Sequence, residues 1–311
     1  ARAEGCKGLM SEQTAKSMIQ QAFAHPLCSS IVFGFQGGEP TLRGVDFFEW
    51  FARTVQEENH NGIPVSYTLQ TNATLLDESW IPFLRDNHVL VGVSLDGPEP
   101  YHDALRLDAA HTGTFQRVMD GISLLQRHDI PFNILCVLSD VNVRSAPRLY
   151  RFFKEHQMNY LQFIPLIQPF AEKDADGQPT LSPERFGRFL TQLFDLYYQD
   201  WSRGDYVSVR FFDNILMRMT GRMPESCDMG GHCSLQYIIE ADGSVYPCDF
   251  YALDAHCMGN IAENTFAQLA QSPAAQAFLS HSPCTDGCGS CSWRPYCPGR
   301  CRRYREFAAE A

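Results

Sequence analysis

Five short apolar runs, each separated from the next by a helix-length stretch, constrain this chain more than any other feature. IVFGFQ (31–36), VSYTLQTN (65–72), VLVGVSLDG (89–97), FNILCVLS (132–139) and YLQFIPL (160–166) read as strands. Their nearly continuous apolar character is that of strands covered on both faces. Helices are predicted between them: Val45 to Glu58, Asp77 as a cap with a helix to about Asp86, Thr114 to His128, and Ala146 to His156. Another helix, SEQTAKSMIQQAF, opens at Ser11 and ends at His25-Pro26. A strand joined to the next through a helix must pair in parallel, because a crossover of about a dozen residues carries the chain back to the same end. The pattern therefore predicts an α/β fold, with a barrel or partial barrel favoured over a doubly wound sheet.

Polar residues cluster where these strands end. Gln36-Gly37-Gly38-Glu39-Pro40 follows the first strand, Gln70-Thr71-Asn72 closes the second, and Ser94-Leu95-Asp96-Gly97 closes the third. In parallel barrels that edge holds the active site. Paired glycines lack Cβ atoms, so a ligand can lie against the backbone of Gly37 and Gly38. Glu39 is placed to meet an ammonium group. The bland alternative is a glycine-rich turn. No Lys-Ser/Thr follows, and an acid in the turn would repel phosphate, so this is not a phosphate loop. Asp96-Gly97-Pro98 reads equally well as a simple turn, and Arg106 as a solvated cation.

The second half is dominated by cysteine. All twelve cysteines except Cys6, Cys28 and Cys136 lie between Cys227 and Cys301. Cys227, Cys233 and Cys248 bracket YIIEADGSVYPC, which reads as a hairpin around Asp242-Gly243. Cys288, Cys291, Cys297 and Cys301 form the ladder CGSCSWRPYCPGRC, while Cys257 and Cys284 stand apart. Several thiolates converging on one point suit an iron–sulfur cluster or structural zinc. Disulfides are disfavoured, since the sequence shows no apolar signal core and cytosolic thiols stay reduced. The histidines are scattered without zinc-ligand spacing, and none is assigned to a metal. Asp249, next to Cys248 in PCDFY, reads either as a base near a metal centre or as a turn acid accepting backbone hydrogen bonds.

Between these halves, AEKDADGQP (171–179) is a polar loop. Ser182-Pro183-Glu184 then starts a long helix to about Trp201, with Phe186, Phe189, Leu190, Leu193, Phe194 and Tyr197 on its apolar side. Hydrophobic residues make up 44% of the 311 residues, enough for a sizeable core. A formal net charge of -11 argues against binding nucleic acid through the overall field. No apolar run reaches the length of a membrane span.

FQGGEPTL (35–42), LQTNATLLDESW (69–80), VGVSLDGP (91–98), FNILCVLS (132–139), LQFIPL (161–166) and VRFFDNIL (209–216) stand beside C-x5-C-x14-C, DGSVYPCDFY (242–251) and the CxxCx5Cx3C ladder. With these motifs the chain resembles radical S-adenosylmethionine (SAM) enzymes carrying a SPASM extension, and more closely the anaerobic sulfatase-maturating enzymes. The resemblance runs over essentially the whole chain. It implies a partial (β/α)6 barrel whose first strand is missing, followed by a cysteine-rich SPASM extension containing a β-hairpin. The implied division is 1–170 for the barrel, 171–220 for a helical connector and 221–311 for the iron–sulfur domain.

The implied reaction is SAM-radical oxidation of a Cys or Ser in a sulfatase to Cα-formylglycine. The resemblance assigns Gly37, Gly38, Glu39, Ser94 and Arg106 to SAM, and Gln36, Gln70, Thr71 and Asn72 to the substrate path. Asp249 is the implied proton acceptor. Cys227, Cys233, Cys248 and Cys301 are the implied ligands of one auxiliary [4Fe–4S] cluster, and Cys288, Cys291 and Cys297 of a second, incomplete one. Three clusters are implied for the full-length protein. The CxxxCxxC loop of the superfamily is not in this sequence, so truncation at both ends is expected, and the fragment alone is expected not to cleave SAM. Implied partners are an unfolded sulfatase polypeptide and a reducing donor such as flavodoxin or ferredoxin, in the cytoplasm, with no nucleic acid and no membrane. A different SPASM peptide-modifying enzyme, or a non-catalytic zinc- or cluster-binding homologue, are the alternatives.

Overall fold

The computed structural model of the chain describes residues 7–24, 28–167, 181–280, 286–297 and 299–310. Helix α1 spans Glu12–Phe23, and the Ser11 side chain caps it by accepting from the Thr14 backbone N–H at 3.0 Å. Its end at His25-Pro26 lies outside the described residues, as does the loop 171–179. Next come β1 (Ile31–Phe35), α2 (Val45–Glu58), β2 (Val65–Thr71), α3 (Ile81–Asp86), β3 (Leu90–Ser94) and α4 (Glu99–His102). These are followed by α5 (Phe115–Arg127), β4 (Phe132–Leu138), α6 (Ala146–Glu155), β5 (Tyr160–Pro165), α7 (Pro183–Arg203), β6 (Ser208–Val209) and α8 (Arg210–Met219). Asp77 caps a short 3-10 turn at Glu78–Trp80 that leads into α3, rather than α3 itself.

The strands form one sheet in the order β1-β2-β3-β4-β5-β6. The pairs from β2 to β6 are all parallel. An order that never reverses is that of a singly wound, barrel-type sheet; a doubly wound one turns back at a switch point. The sixth strand went unread in the sequence because Ser208–Val209 is too short to carry a pattern. Strand β3 has one face fully covered, with Val91, Val93 and the following Leu95 buried, while on the other face Gly92 is buried and Leu90 exposed. β2 and β4 instead alternate, with Tyr67, Leu69 and Thr71 buried and Thr68 and Gln70 partly exposed. Of the predicted apolar side of α7, Phe189, Leu193 and Tyr197 are buried, whereas Phe194 is 46% exposed.

The chain divides into two compact units. One comprises Phe33–Leu42, Tyr67–Met223 and Glu310–Ala311, and holds most of the sheet. The other gathers Ala1–Val32, Arg43–Ser66 and Pro224–Ala309. In this second unit β7 (Ile238–Ile239) and β8 (Ser244–Tyr246) pair as the antiparallel hairpin expected around Asp242-Gly243, and β9 (Gly259–Asn260) adds a third strand. Glu240 N–H donates to the Ser244 carbonyl at 2.9 Å, leaving a three-residue loop whose last position, Gly243, takes φ +84°. Helices α9 (Phe266–Ala270), α10 (Pro273–Leu279) and α11 (Arg302–Glu310) follow. Val245, Met258, Ile261, Leu269 and Ala275 make the core of this unit, and Met18 of α1 packs against it.

Candidate functional site

In the sheet-bearing unit the predicted residues at the strand ends are tied to one another. Gly37 and Gly38 adopt φ +91° and +54°, and a Cβ built on either would meet nothing within 4 Å. The backbone there is open to a ligand, and the positive φ values favour glycine. Glu39 accepts four hydrogen bonds from the protein. Its Oε1 accepts from the Thr41 N–H at 3.1 Å, the Thr41 hydroxyl at 2.6 Å and the Thr71 hydroxyl at 2.7 Å, and Oε2 accepts from the Asn72 N–H at 2.7 Å. Three of the four fall on Oε1 and one on Oε2, which keeps a site for a further donor, and together they reach residues 41, 71 and 72. Glu39 therefore fastens the turn after β1 to the end of β2. Thr71 also accepts from the Ala73 N–H at 2.9 Å, and the Asn72 side chain closes an Asx turn onto Thr74. Gln70 crosses to β3, donating to the Ser94 hydroxyl at 3.3 Å. It passes over Gly92, where a Cβ would stand 2.4 Å from the Gln70 Oε1. Gln36 is exposed at the other end of this group.

Arg106 is not a solvated cation. Its Nε and Nη2 donate to the two carboxylate oxygens of Asp96 at 2.5 and 3.1 Å, a bidentate pair. Asp96 is only 4% exposed, and its Oδ1 also accepts from the Val137 N–H at 2.8 Å. His102, on α4, lies beneath. The Asp96 N–H donates to His102 Nδ1 at 3.2 Å, so Nδ1 is the acceptor and Nε2 carries the hydrogen toward the Thr114 hydroxyl at 3.0 Å. Thr114 in turn donates to the Arg106 carbonyl at 2.9 Å. Burial pushes His102 down to about 4, which keeps it neutral in this relay.

In the other unit Cys227, Cys233, Cys248 and Cys301 line one cavity. Arg300, Arg302 and Arg305 line it too. Burial pushes the Cys301 thiol up, and charge on Cys227 and Cys233 adds to the effect. The Cys248 thiol is raised by burial, with the Asp249 charge second. Cys248 donates to Asp249 Oδ1 at 3.1 Å, and the same oxygen accepts from the Phe250 N–H at 2.9 Å. Asp249 is thus both the exposed turn acid of the bland reading and a neighbour of a cavity cysteine. Beyond the thiols, Tyr251 donates to Glu306 Oε2 at 2.5 Å and Arg302 to Oε1 at 2.7 Å.

The rest of the ladder lies elsewhere. Cys288 closes a 3-10 turn, while Cys291 and Cys297 are exposed on the turns that follow. Cys257 is exposed and donates to the Gly259 carbonyl at 3.6 Å. Cys6 and Cys284 lie outside the described residues. No disulfide joins the described cysteines. Among the described residues no three His, Cys, Asp or Glu side chains are grouped so as to hold a single metal ion.

Comparison with known proteins places these features. The family model described as the radical SAM superfamily matches residues 2–153, and that of SPASM, an iron–sulfur cluster-binding domain, matches 227–292. A cysteine-type anaerobic sulfatase-maturating enzyme of Clostridium novyi is 41% identical over 302 residues, covering 96% of this chain and 80% of that protein. The chain belongs to the anaerobic sulfatase-maturating enzyme family. A serine-type member from Bacteroides thetaiotaomicron is 30% identical over 97% of this chain and 76% of its own length. The solved structure of native anSMEcpe with bound AdoMet and Cp18Cys peptide superposes with a TM-score of 0.92, at 38% identity over 96% of this chain and 82% of that one.

For this sulfatase-maturating enzyme, reading the sequence missed the residues that hold others in place. Asp96 passed for a turn acid, and His102 and Thr114 had no motif. The only signal was the tandem of Asp96 and Arg106 ten positions apart, meaningful once the intervening chain is known to fold back.

Proposed function

We propose that this protein is a cysteine-type sulfatase-maturating oxidoreductase, converting a target cysteine of an unfolded sulfatase to Cα-formylglycine. Sulfatase maturation by radical SAM chemistry is the activity of its family. The observation that carries the cysteine target is the gap between 41% identity to a cysteine-type enzyme and 30% to a serine-type one, over nearly equal shares of the chain.

The residues present suit SAM and an auxiliary cluster, while the CxxxCxxC ligands of SAM's own cluster are not in this sequence. The open backbone at Gly37 and Gly38 is a cradle that any Cβ would begin to fill. The four-cysteine cavity contains a buried N–H of Arg305 that meets no acceptor among the described residues, as expected where an anionic group belongs. When bound, SAM and its reducing [4Fe–4S] cluster supply hydrogen-atom abstraction at the target Cβ, and an auxiliary [4Fe–4S] cluster receives the remaining electron. Gly37 and Gly38 would hold the methionyl ammonium through backbone carbonyls, with Glu39 keeping their turn in shape. Ser94 and Arg106 would bind the carboxylate and ribose side. Gln36, Gln70, Thr71 and Asn72 would line the substrate path. Cys227, Cys233, Cys248 and Cys301 would hold one auxiliary cluster, and Cys288, Cys291 and Cys297 would contribute to another.

Asp249 is the proposed base. Ligation of a cluster requires Cys248 as thiolate, which removes its S–H donor from Asp249. That oxygen is then left with the Phe250 N–H and can take the substrate thiol proton. Loss of one hydrogen atom, one proton and one electron from –CH2–SH leaves C=S, and exchange of sulfur for water oxygen gives the aldehyde and hydrogen sulfide. The same reading divides the chain into SAM chemistry at 1–170, a connector at 171–220 and auxiliary clusters at 221–311. It takes a flavodoxin or ferredoxin as electron donor and the cytoplasm as location. Among the described residues no helix is long and apolar enough to cross a membrane.

Mass spectrometry of Cys- and Ser-containing sulfatase-motif peptides, incubated with full-length holoenzyme, SAM and reductant, tests this. Formylglycine from the Cys peptide is expected, with less from the Ser peptide. SAM cleavage without formylglycine would sink the substrate assignment. Asp249→Asn should keep its iron and lose most product; unchanged turnover would remove Asp249 from the mechanism.

A further inference from the structure

The four-cysteine cavity contains a cation that no described carboxylate neutralises. Arg300 pairs with Asp228 at 2.6 Å, and Arg302 with Glu306 at 2.7 Å. Arg305, on α11, has no such partner among the described residues. Its Nη1 donates only to the carbonyls of Gly299 at 3.0 Å and Arg300 at 2.7 Å. Its Nε–H is buried without an acceptor among the described residues. Three other arginine Nε atoms share this feature among the described residues, that of Arg300 in the same cavity included. What sets Arg305 apart is its charge, which no described carboxylate offsets. A buried N–H lining a cavity suits an acceptor that arrives with a ligand. The same cavity already contains one N–H to sulfur bond, from Gln236 Nε2 to Cys227 Sγ at 3.6 Å.

We propose that Arg305 sets the reduction potential of the cluster ligated by Cys227, Cys233, Cys248 and Cys301, by donating Nε–H to one of its sulfurs and placing an unneutralised charge beside it. The proposal rests on the reading of those four cysteines as one ligand set. A cluster gains one negative charge on reduction. A guanidinium is always charged, so its attraction favours the reduced form over the oxidised one. Hydrogen bonds to cluster sulfur act in the same direction. Arg300 and Arg302 contribute less, because Asp228 and Glu306 offset them. The electron released when the substrate C=S bond forms must reach an acceptor of sufficient potential. Arg305 thus makes this cluster, rather than one at the exposed ladder, the better acceptor. It is a positioning and tuning residue, not a catalytic one.

The test is a potentiometric titration followed by electron paramagnetic resonance on the anaerobically reconstituted full chain. Wild type, Arg305→Gln and Arg305→Lys are compared, each also with Cys288→Ala and Cys291→Ala to silence the ladder. Arg305→Gln should shift the oxidised-to-reduced ratio at fixed potential about tenfold toward oxidised, a midpoint lower by about 59 mV for one electron. Arg305→Lys keeps the charge and loses the Nε donor, so its midpoint should fall between the two. An unchanged midpoint in Arg305→Gln at full iron content overturns the proposal. If that variant fails to hold iron, the lysine variant decides: a midpoint equal to wild type overturns it. Cys301→Ala separates this from the ligand reading. If it loses no iron, the ligand set is wrong; if it loses one cluster's iron and the Arg305 midpoints do not move, only the tuning role is wrong.

Discussion

Arg106 grips Asp96 through two hydrogen bonds of 2.5 and 3.1 Å, and the carboxylate it grips is almost wholly buried. The pair joins the end of β3 to the loop beyond α4. Its geometry orients the guanidinium while leaving the side chain 27% exposed, enough for a further anionic contact.

Asp96→Asn keeps an acceptor for the Val137 N–H but cancels the charge pair. A hydrogen bond to a charged group contributes about 1.5–3 kcal/mol. The apparent KM for SAM should rise roughly tenfold or more, with the peptide KM unchanged. Equal changes in both constants would show that Asp96 supports the fold generally rather than Arg106.

Glu39 accepts four protein hydrogen bonds, three on Oε1 and one on Oε2, so it can fasten the Gly37-Gly38 turn and still offer Oε2 to one more donor. Thr71→Val removes one of those donors without touching any carboxylate. If Glu39 acts as a fastener, Thr71→Val and Glu39→Gln should both weaken SAM binding, by about fivefold to tenfold for a lost bond near 1 kcal/mol. If only Glu39→Gln weakens it, the carboxylate meets the ammonium directly. Isothermal titration with SAM distinguishes the two.

His102 has a lowered pKa of about 4 against 6.5 for a free imidazole, and burial is the main cause. Between those values the unfolded chain binds more protons than the folded one. Stability from this site is therefore constant above about pH 6.5 and falls as pH drops toward 4, by on the order of 3 kcal/mol in total. His102→Gln should flatten that part of the profile in urea denaturation. Parallel pH slopes for the two proteins would contradict the assignment.

Gly121 sits inside α5, where alanine would ordinarily stabilise by about 1 kcal/mol. Here a Cβ would stand 2.4 Å from the Ala73 carbonyl oxygen, in the loop that follows Thr71-Asn72. Backbone cannot yield as a side-chain tip can. Gly121→Ala should destabilise by about 1–3 kcal/mol and raise the SAM KM through the displaced loop. A gain in denaturation midpoint would mean that α5 moves away freely.

The order of strands and helices was legible in the sequence, because long apolar runs and periodic helices are local patterns. The Ser11 and Ser182 caps and the Asp242-Gly243 hairpin were legible for the same reason. A two-residue strand such as Ser208–Val209 carries no such pattern; it exists only because Tyr160 and Leu161 of β5 lie alongside it. The residue types of the site were also visible: two glycines in a turn, a row of cysteines, an acid beside one of them. Their partners were not. Hydrogen-bond pairing across a sheet edge depends on side chains brought together from distant positions, as Asp96 is with Val137 and Glu39 with Thr71. Spacing alone did not say that Cys301 leaves its neighbours in the ladder to share a cavity with Cys227, Cys233 and Cys248; that division came from the family resemblance. Folding decides it physically, by carrying α11 back onto the hairpin unit, where Tyr251 meets Glu306 and Arg305 comes to line the thiol cavity.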